Sequence, residues 1–208
     1  MESGMNRQVQ IDLQNALAVH QALLSDIPLH TQLVELAAEC LDALRRGGKI
    51  LFAGNGGSFA DAQHLAAEFV SRLQFDRAPL PAIALATNSS SMSAIGNDYG
   101  YDQVFARELR ALAGENDVFI PITTSGSSPN IMAAVEVAKE LGIHVTGFTG
   151  EGGGRLAQAC NCLRVPSSRT ERIQEGHILL GHVLCGLVET AYFKGPKVQS
   201  AKRTGILS

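Results

Sequence analysis

The sequence predicts an α/β fold, a parallel sheet covered by helices on both faces, and three observations predict it. Short apolar runs alternate with helical segments, glycine- and hydroxyl-rich turns close those runs, and a helical region precedes the first of them. A sheet of this kind carries its ligand sites at the carboxyl ends of its strands.

The elements follow in order. Leu13, Ala16, Leu23, Leu33, Leu36, Ala37, Leu41 and Leu44 recur at helical spacing, and Gly47-Gly48 closes this N-terminal region, residues 1–48. Lys49-Ile50-Leu51-Phe52-Ala53 then ends abruptly in glycines, as a buried strand meeting a turn does, so a strand is expected near 49–54 and a helix over 58–73. Further apolar runs predict a strand at 81–87, helices within 89–112 and a strand at 117–124. Pro121 lies inside that last run and must cost it a ladder bond or force a bulge. Pro129 suits the first position of a helix over 129–141, and the rhythm continues with strand 143–149, helix 153–159, strand 162–166 and helix 170–194. Residues 49–195 thus read as one sheet domain, and 196–208 as a flexible, solvated tail holding Lys197, Lys202 and Arg203.

Composition narrows the class. At 208 residues, 45% hydrophobic and 18% charged, the chain is long enough to bury a full core. Its formal net charge of -3 provides no basic field for nucleic acid, and no run of some 18 apolar residues predicts a membrane span. The polar N-terminus, with Glu2, Asn6, Arg7 and Gln8, is unlike a signal peptide, so a cytoplasmic location is expected. Cys40, Cys160, Cys162 and Cys185 are scattered, and the Cys-x-Cys pair lacks a second pair to complete a zinc site.

Two turns carry the chemistry. In Gly54-Asn55-Gly56-Gly57-Ser58, the glycines let backbone approach a ligand closely, and Ser58 is a candidate N-cap. Free amides and the positive end of the helix dipole make this an anion site. It is neither a dinucleotide fingerprint, since Phe59 stands where a third glycine belongs, nor a P-loop, which needs Gly-Lys-Ser/Thr. The second turn, Thr123-Thr124-Ser125-Gly126-Ser127-Ser128, precedes Pro129. Its hydroxyls exceed what one cap requires, and Thr124, Ser125 and Ser128 are neutral donors suited to a phosphate.

His64 and Glu68 stand four apart on the helix after the first turn, side by side on one face, as a metal pair or an ordinary hydrogen bond would be. The last helix offers Gln174, His177 and His182. Gln174 and His182 differ by roughly 80° in direction and about 12 Å along a straight helix, so they serve different sites, or the helix bends, or two subunits contribute. His182 sits among Leu179, Leu180, Val183 and Leu184, where a core histidine is the ordinary reading.

Gly54-Asn55-Gly56-Gly57-Ser58, Asp61-Ala62-Gln63-His64, Glu68, Gly96-Asn97-Asp98, Thr124-Ser125-Gly126, Arg172-Ile173-Gln174-Glu175 and His182 stand in an order and spacing that resemble the phosphoheptose isomerase branch of the sugar isomerase (SIS) family, over nearly the whole chain. The resemblance implies a five-stranded parallel SIS sheet between helices, and a homotetramer with active sites at subunit interfaces into which the N-terminal helices pack. It implies Zn2+ held by His64, Glu68, Gln174 and His182, with Glu68 and His182 as the acid/base pair. Asn55, Gly56, Gly57, Ser58, Thr124, Ser125 and Ser128 would bind the sugar phosphate, joined by Asp98 and Gln174. The implied activity is aldose-ketose isomerisation of sedoheptulose 7-phosphate, the first step toward ADP- or GDP-heptose precursors such as those of lipopolysaccharide. Thr123, Ser127 and Asn88 depart from the family's usual Ser, Asn and Asp. Noncatalytic SIS regulators, the alternative reading, lack the matching carboxylate and histidine, which are both present here.

Overall fold

The computed structural model describes residues 2–195, and the expected tail at 196–208 lies outside them. Two helices open the chain, α1 (Glu2–Ser25) and α2 (Ile27–Arg45). Strands and helices then alternate: β1 (Ile50–Gly54), α3 (Gly57–Val70), β2 (Ala82–Ala84), α4 (Ser89–Tyr99), a 3-10 turn at Tyr101–Gln103, α5 (Val104–Leu112), β3 (Val118–Ile122), α6 (Pro129–Glu140), β4 (His144–Gly150), α7 (Leu156–Ala159), β5 (Asn161–Val165) and α8 (Thr170–Lys194).

The strands form one five-stranded parallel sheet in the order β2-β1-β3-β4-β5, as expected. From β1 the chain passes outward to β2, then crosses to β3 on the other side of β1. Such a switch point opens a crevice at the carboxyl ends of β1 and β3, where both candidate anion turns emerge.

Period-two alternation divides the core into two layers. Ile50 and Phe52 of β1, with Val118, Ile120 and Ile122 of β3, pack against α2, α3 and α8; Leu51, Ala53 and Phe119 pack against α5 and α6 on the opposite face. Every residue of β1 and β3 is buried because both faces are covered, and this makes their sequences continuous apolar runs.

Pro121 pairs in register with Ala53 of β1. Toward β4, Val118–His144, Phe119–Val145 and Ile122–Phe148 keep one offset across the proline, so the strand forgoes pairing there and has no bulge. The expected strand at 81–87 contracts to Ala82–Ala84, because Ala86 takes a left-handed backbone (φ 63°) that ends the ladder. Contrary to the sequence expectation, α8 is long and apolar enough by composition to cross a bilayer. Half of its apolar window is nevertheless buried, which makes it a core helix of this fold.

Candidate active site

The first turn differs from its expected capping. Gly56, with φ 56°, is the N-cap of α3 and no side chain caps the helix; Ser58 is already helical and buried. The first amides of α3 therefore keep their capacity for an external anion. Gln174 lies against the same turn, and a Cβ on Gly57 would sit 2.5 Å from its Nε2, so any larger residue there would have to displace the end of that side chain.

In the second turn, Ser128 occupies the N-cap position of α6 without its side chain capping the helix. Its hydroxyl pairs instead with Thr123 Oγ1 at 3.1 Å, while Ser125 Oγ lies 3.5 Å from that atom and accepts from the Ser127 amide at 3.2 Å. The side chain of Thr124, half-buried between them, makes no protein hydrogen bond among those described.

A residue that sequence reasoning missed ties the two turns together. Asn55 Nδ2 donates to Asn130 Oδ1 and Asn130 Nδ2 donates back to Asn55 Oδ1, each at 2.9 Å. Asn130 is buried, and its Oδ1 also accepts from the Ile131 amide at 2.9 Å. Tyr101, likewise unforeseen, donates from its hydroxyl to Asn55 Oδ1 at 3.3 Å. Asp98, at the end of α4, is exposed and accepts a 2.8 Å bond from Asn97.

One turn and more along α3, three proton-active side chains converge. His64 Nε2 lies 2.9 Å from His182 Nε2 and 3.3 Å from Glu68 Oε1, and the ligand atoms of His64, Glu68 and His182 all fall within 4.8 Å of one another. His182 is thus half-buried against His64 and is not the core histidine its apolar neighbours suggested. Gln174 stands apart within one chain, at the start of α3, roughly 10 Å along that helix from His64.

The donor set is of a kind that holds a metal ion. Zinc bonds of about 2.0–2.2 Å at tetrahedral angles separate ligand atoms by roughly 3.3–3.6 Å; the 3.3 Å between His64 and Glu68 matches this, the 2.9 Å between His64 and His182 is shorter, and two imidazoles with a carboxylate are donors zinc accepts. Nearby, burial pushes the Asp61 carboxyl up to about 6 against the opposing influence of His64, and its Oδ2 has no hydrogen-bond partner. His177, left without a role by the sequence, is fully buried with neither ring nitrogen hydrogen-bonded, and burial holds it down to about 4.

Two glycine- and hydroxyl-rich turns at a switch point, with a carboxylate–imidazole cluster along the same helix, are suited to a sugar-phosphate isomerase on a five-stranded α/β scaffold, and comparison with known proteins agrees. The SIS domain model matches residues 17–150. Phosphoheptose isomerase from Aneurinibacillus thermoaerophilus is 49% identical over 91% of this chain and 96% of its own, and that from Burkholderia pseudomallei (strain K96243) 49% identical over 93% and 98%. The solved phosphoheptose isomerase of Neisseria gonorrhoeae, 41% identical, superposes with a TM-score of 0.82 over 88% of this chain and 99% of its own. The chain belongs to the phosphoheptose isomerases of the SIS family, and it is an isomerase.

Proposed function

We propose that the protein interconverts sedoheptulose 7-phosphate and D-glycero-D-manno-heptose 7-phosphate through an enediol, in the cytoplasm, at the entry to heptose precursor synthesis. The observation that carries this reading is the meeting of Glu68, His64 and His182 at one point beside two turns suited to a phosphate.

The amides of Gly57 and Ser58, with Asn55, Thr124, Ser125 and Ser128, hold the phosphate. Gln174 and Asp98 contact the sugar chain. Glu68 removes a proton from C1 of the ketose while His182 gives one to the C2 carbonyl oxygen, and the enediol forms. Glu68 then returns its proton to C2 as His182 takes the hydroxyl proton from the oxygen on C1, which leaves the aldose. His64, Glu68 and His182 would hold zinc, which when bound supplies positive charge to an oxygen that becomes negative in the transition state.

Within one chain Gln174 belongs to the substrate side; as a fourth metal ligand it would come from a neighbouring protomer. This supports a homotetramer with sites at subunit boundaries, in which the exposed apolar residues of α1, Val9, Leu13 and Leu17 among them, would find cover. A coupled assay on sedoheptulose 7-phosphate, with and without chelator, tests the reading. Turnover that zinc restores after chelation is expected, and no turnover with substrate and zinc supplied would sink it.

A further inference from the structure

The guanidinium of Arg77, in the loop after α3, is almost fully buried (2% exposed) against the equally buried carboxylate of Glu189 (1%), with Nε to Oε1 at 3.0 Å. Its remaining donors reach the end of α3: Nη2 donates to the Glu68 carbonyl at 2.7 Å, and Nη1 to the carbonyls of Phe69 at 2.6 Å and Ser71 at 3.0 Å. A helix leaves its last carbonyls without internal partners, and a cation at that end is favoured by the dipole. Glu189 in turn accepts from the amides of Leu73 at 3.1 Å and Gln74 at 2.9 Å. One planar fork therefore ties the backbone of Glu68 itself to α8.

Glu189 follows His182 by seven residues, two helical turns, so both lie on the same face of α8 about 10 Å apart. The bond chain from the Glu68 carbonyl through Arg77 and Glu189 to α8 closes a loop whose other side is the gap between the Glu68 and His182 side chains. We propose that Arg77, with Glu189, is a positioning residue that sets the separation of Glu68 from His182. The proposal rests on the acid/base reading of those two groups. The phosphate turns lie at the opposite end of α3, so a disturbance here reaches the proton-transfer groups and leaves the substrate grip in place.

Arg77→Lys keeps a charge beside Glu189, but a single ammonium cannot serve that carboxylate and two helix carbonyls at once. Arg77→Met/Glu189→Leu removes both charges and leaves no lone buried ion, and it decides the matter should the lysine variant fail to fold. Each folded variant, checked by circular dichroism, is expected to lose at least tenfold in kcat on sedoheptulose 7-phosphate with KM changed less than twofold, and to bind zinc at least tenfold more weakly in competition with a chromophoric chelator. Wild-type kcat and zinc affinity in either folded variant would overturn the proposal. If the unaltered protein shows no turnover, the isomerase reading falls, and the zinc affinities alone still judge the positioning role.

Discussion

The Nε2 atoms of His64 and His182 lie 2.9 Å apart although 118 positions separate the residues in sequence. That contact requires α3 and α8 to approach closely where the two residues meet. The approach is made at Gly181, beside His182, where a Cβ would sit 2.5 Å from Cδ2 of the fully buried Leu65, the neighbour of His64. The helix contact and the His64–His182 contact are therefore one structural fact.

Gly181→Ala should damage both. Alanine favours a helix interior over glycine by up to about 1 kcal/mol, but forcing a methyl into a closed interface costs about 1–3 kcal/mol, so the packing effect wins. A drop in thermal midpoint of several degrees is expected, with kcat reduced further than unfolding alone accounts for. Adding Leu65→Ala, which makes room for the methyl, should recover part of the lost kcat. An unchanged midpoint in calorimetry would show that the two helices are not held closely at Gly181.

Glu68→Gln keeps the shape of the side chain and removes its basicity. General acid–base groups contribute about 100- to 10,000-fold, so kcat should fall within that range while substrate affinity, set by the two turns, stays within a few-fold. Steady-state kinetics paired with calorimetric binding of sedoheptulose 7-phosphate measures both quantities. Retained isomerisation would remove Glu68 from its role.

Much of this arrangement was legible in the sequence, and the parts that were not have a common cause. β1 and β3 were visible because a strand buried on both faces must be apolar throughout, and α6 because Pro129 marks its start. The His64/Glu68 pair was visible because both residues lie on one helix at a spacing that puts them on one face. Ser58 was misread as a cap because only the three-dimensional turn at Gly56 shows where α3 begins. Asn130 and Arg77 gave no signal, since each acts through partners dozens of residues away or through backbone carbonyls, which have no letter in the sequence. His182 had a misleading signal, its apolar neighbours: Leu180 and Leu184 are buried in the core, but Leu179 and Val183 are exposed, and His182 meets His64 of α3.

Asn130→Ala should weaken substrate binding more than turnover. The reciprocal amide pair fixes Asn55 relative to the hydroxyl turn, and its loss leaves the Asn55 amide without its principal protein partner in a half-buried setting. A buried polar group losing its partner costs about 1–3 kcal/mol, so KM should rise roughly 5- to 160-fold with kcat changed far less. Asn130→Asp preserves an acceptor for the Asn55 Nδ2 donor but sets a negative charge beside a phosphate site, and its KM should rise as much or more. Product inhibition constants for the two variants, compared with inorganic phosphate as a competitor, separate loss of the sugar contact from loss of the phosphate contact.

His177 governs part of the acid sensitivity of the fold. It packs against the Phe148 ring, with centroids 5.8 Å apart, and burial lowers its folded value from 6.5 to about 4. A base whose folded value is depressed takes up its proton more readily when unfolded, so its contribution to stability is complete above about 6.5 and is lost as pH falls toward 4. The shift corresponds to about 3 kcal/mol across that window. Asp61, raised by burial to about 6, works in the opposite sense, since its protonation on acidification favours the folded form, so the net loss in the unaltered protein is smaller. His177→Phe should therefore leave stability at pH 7.5 nearly unchanged, because no hydrogen bond of the ring is given up, and should flatten the decline between pH 6.5 and 4. Asp61→Asn should do the reverse, steepening the decline by removing the opposing group. Urea denaturation of the three proteins at half-unit steps of pH measures these slopes, and a His177→Phe variant that loses stability with acid as steeply as its parent would show that the imidazole is not buried uncharged.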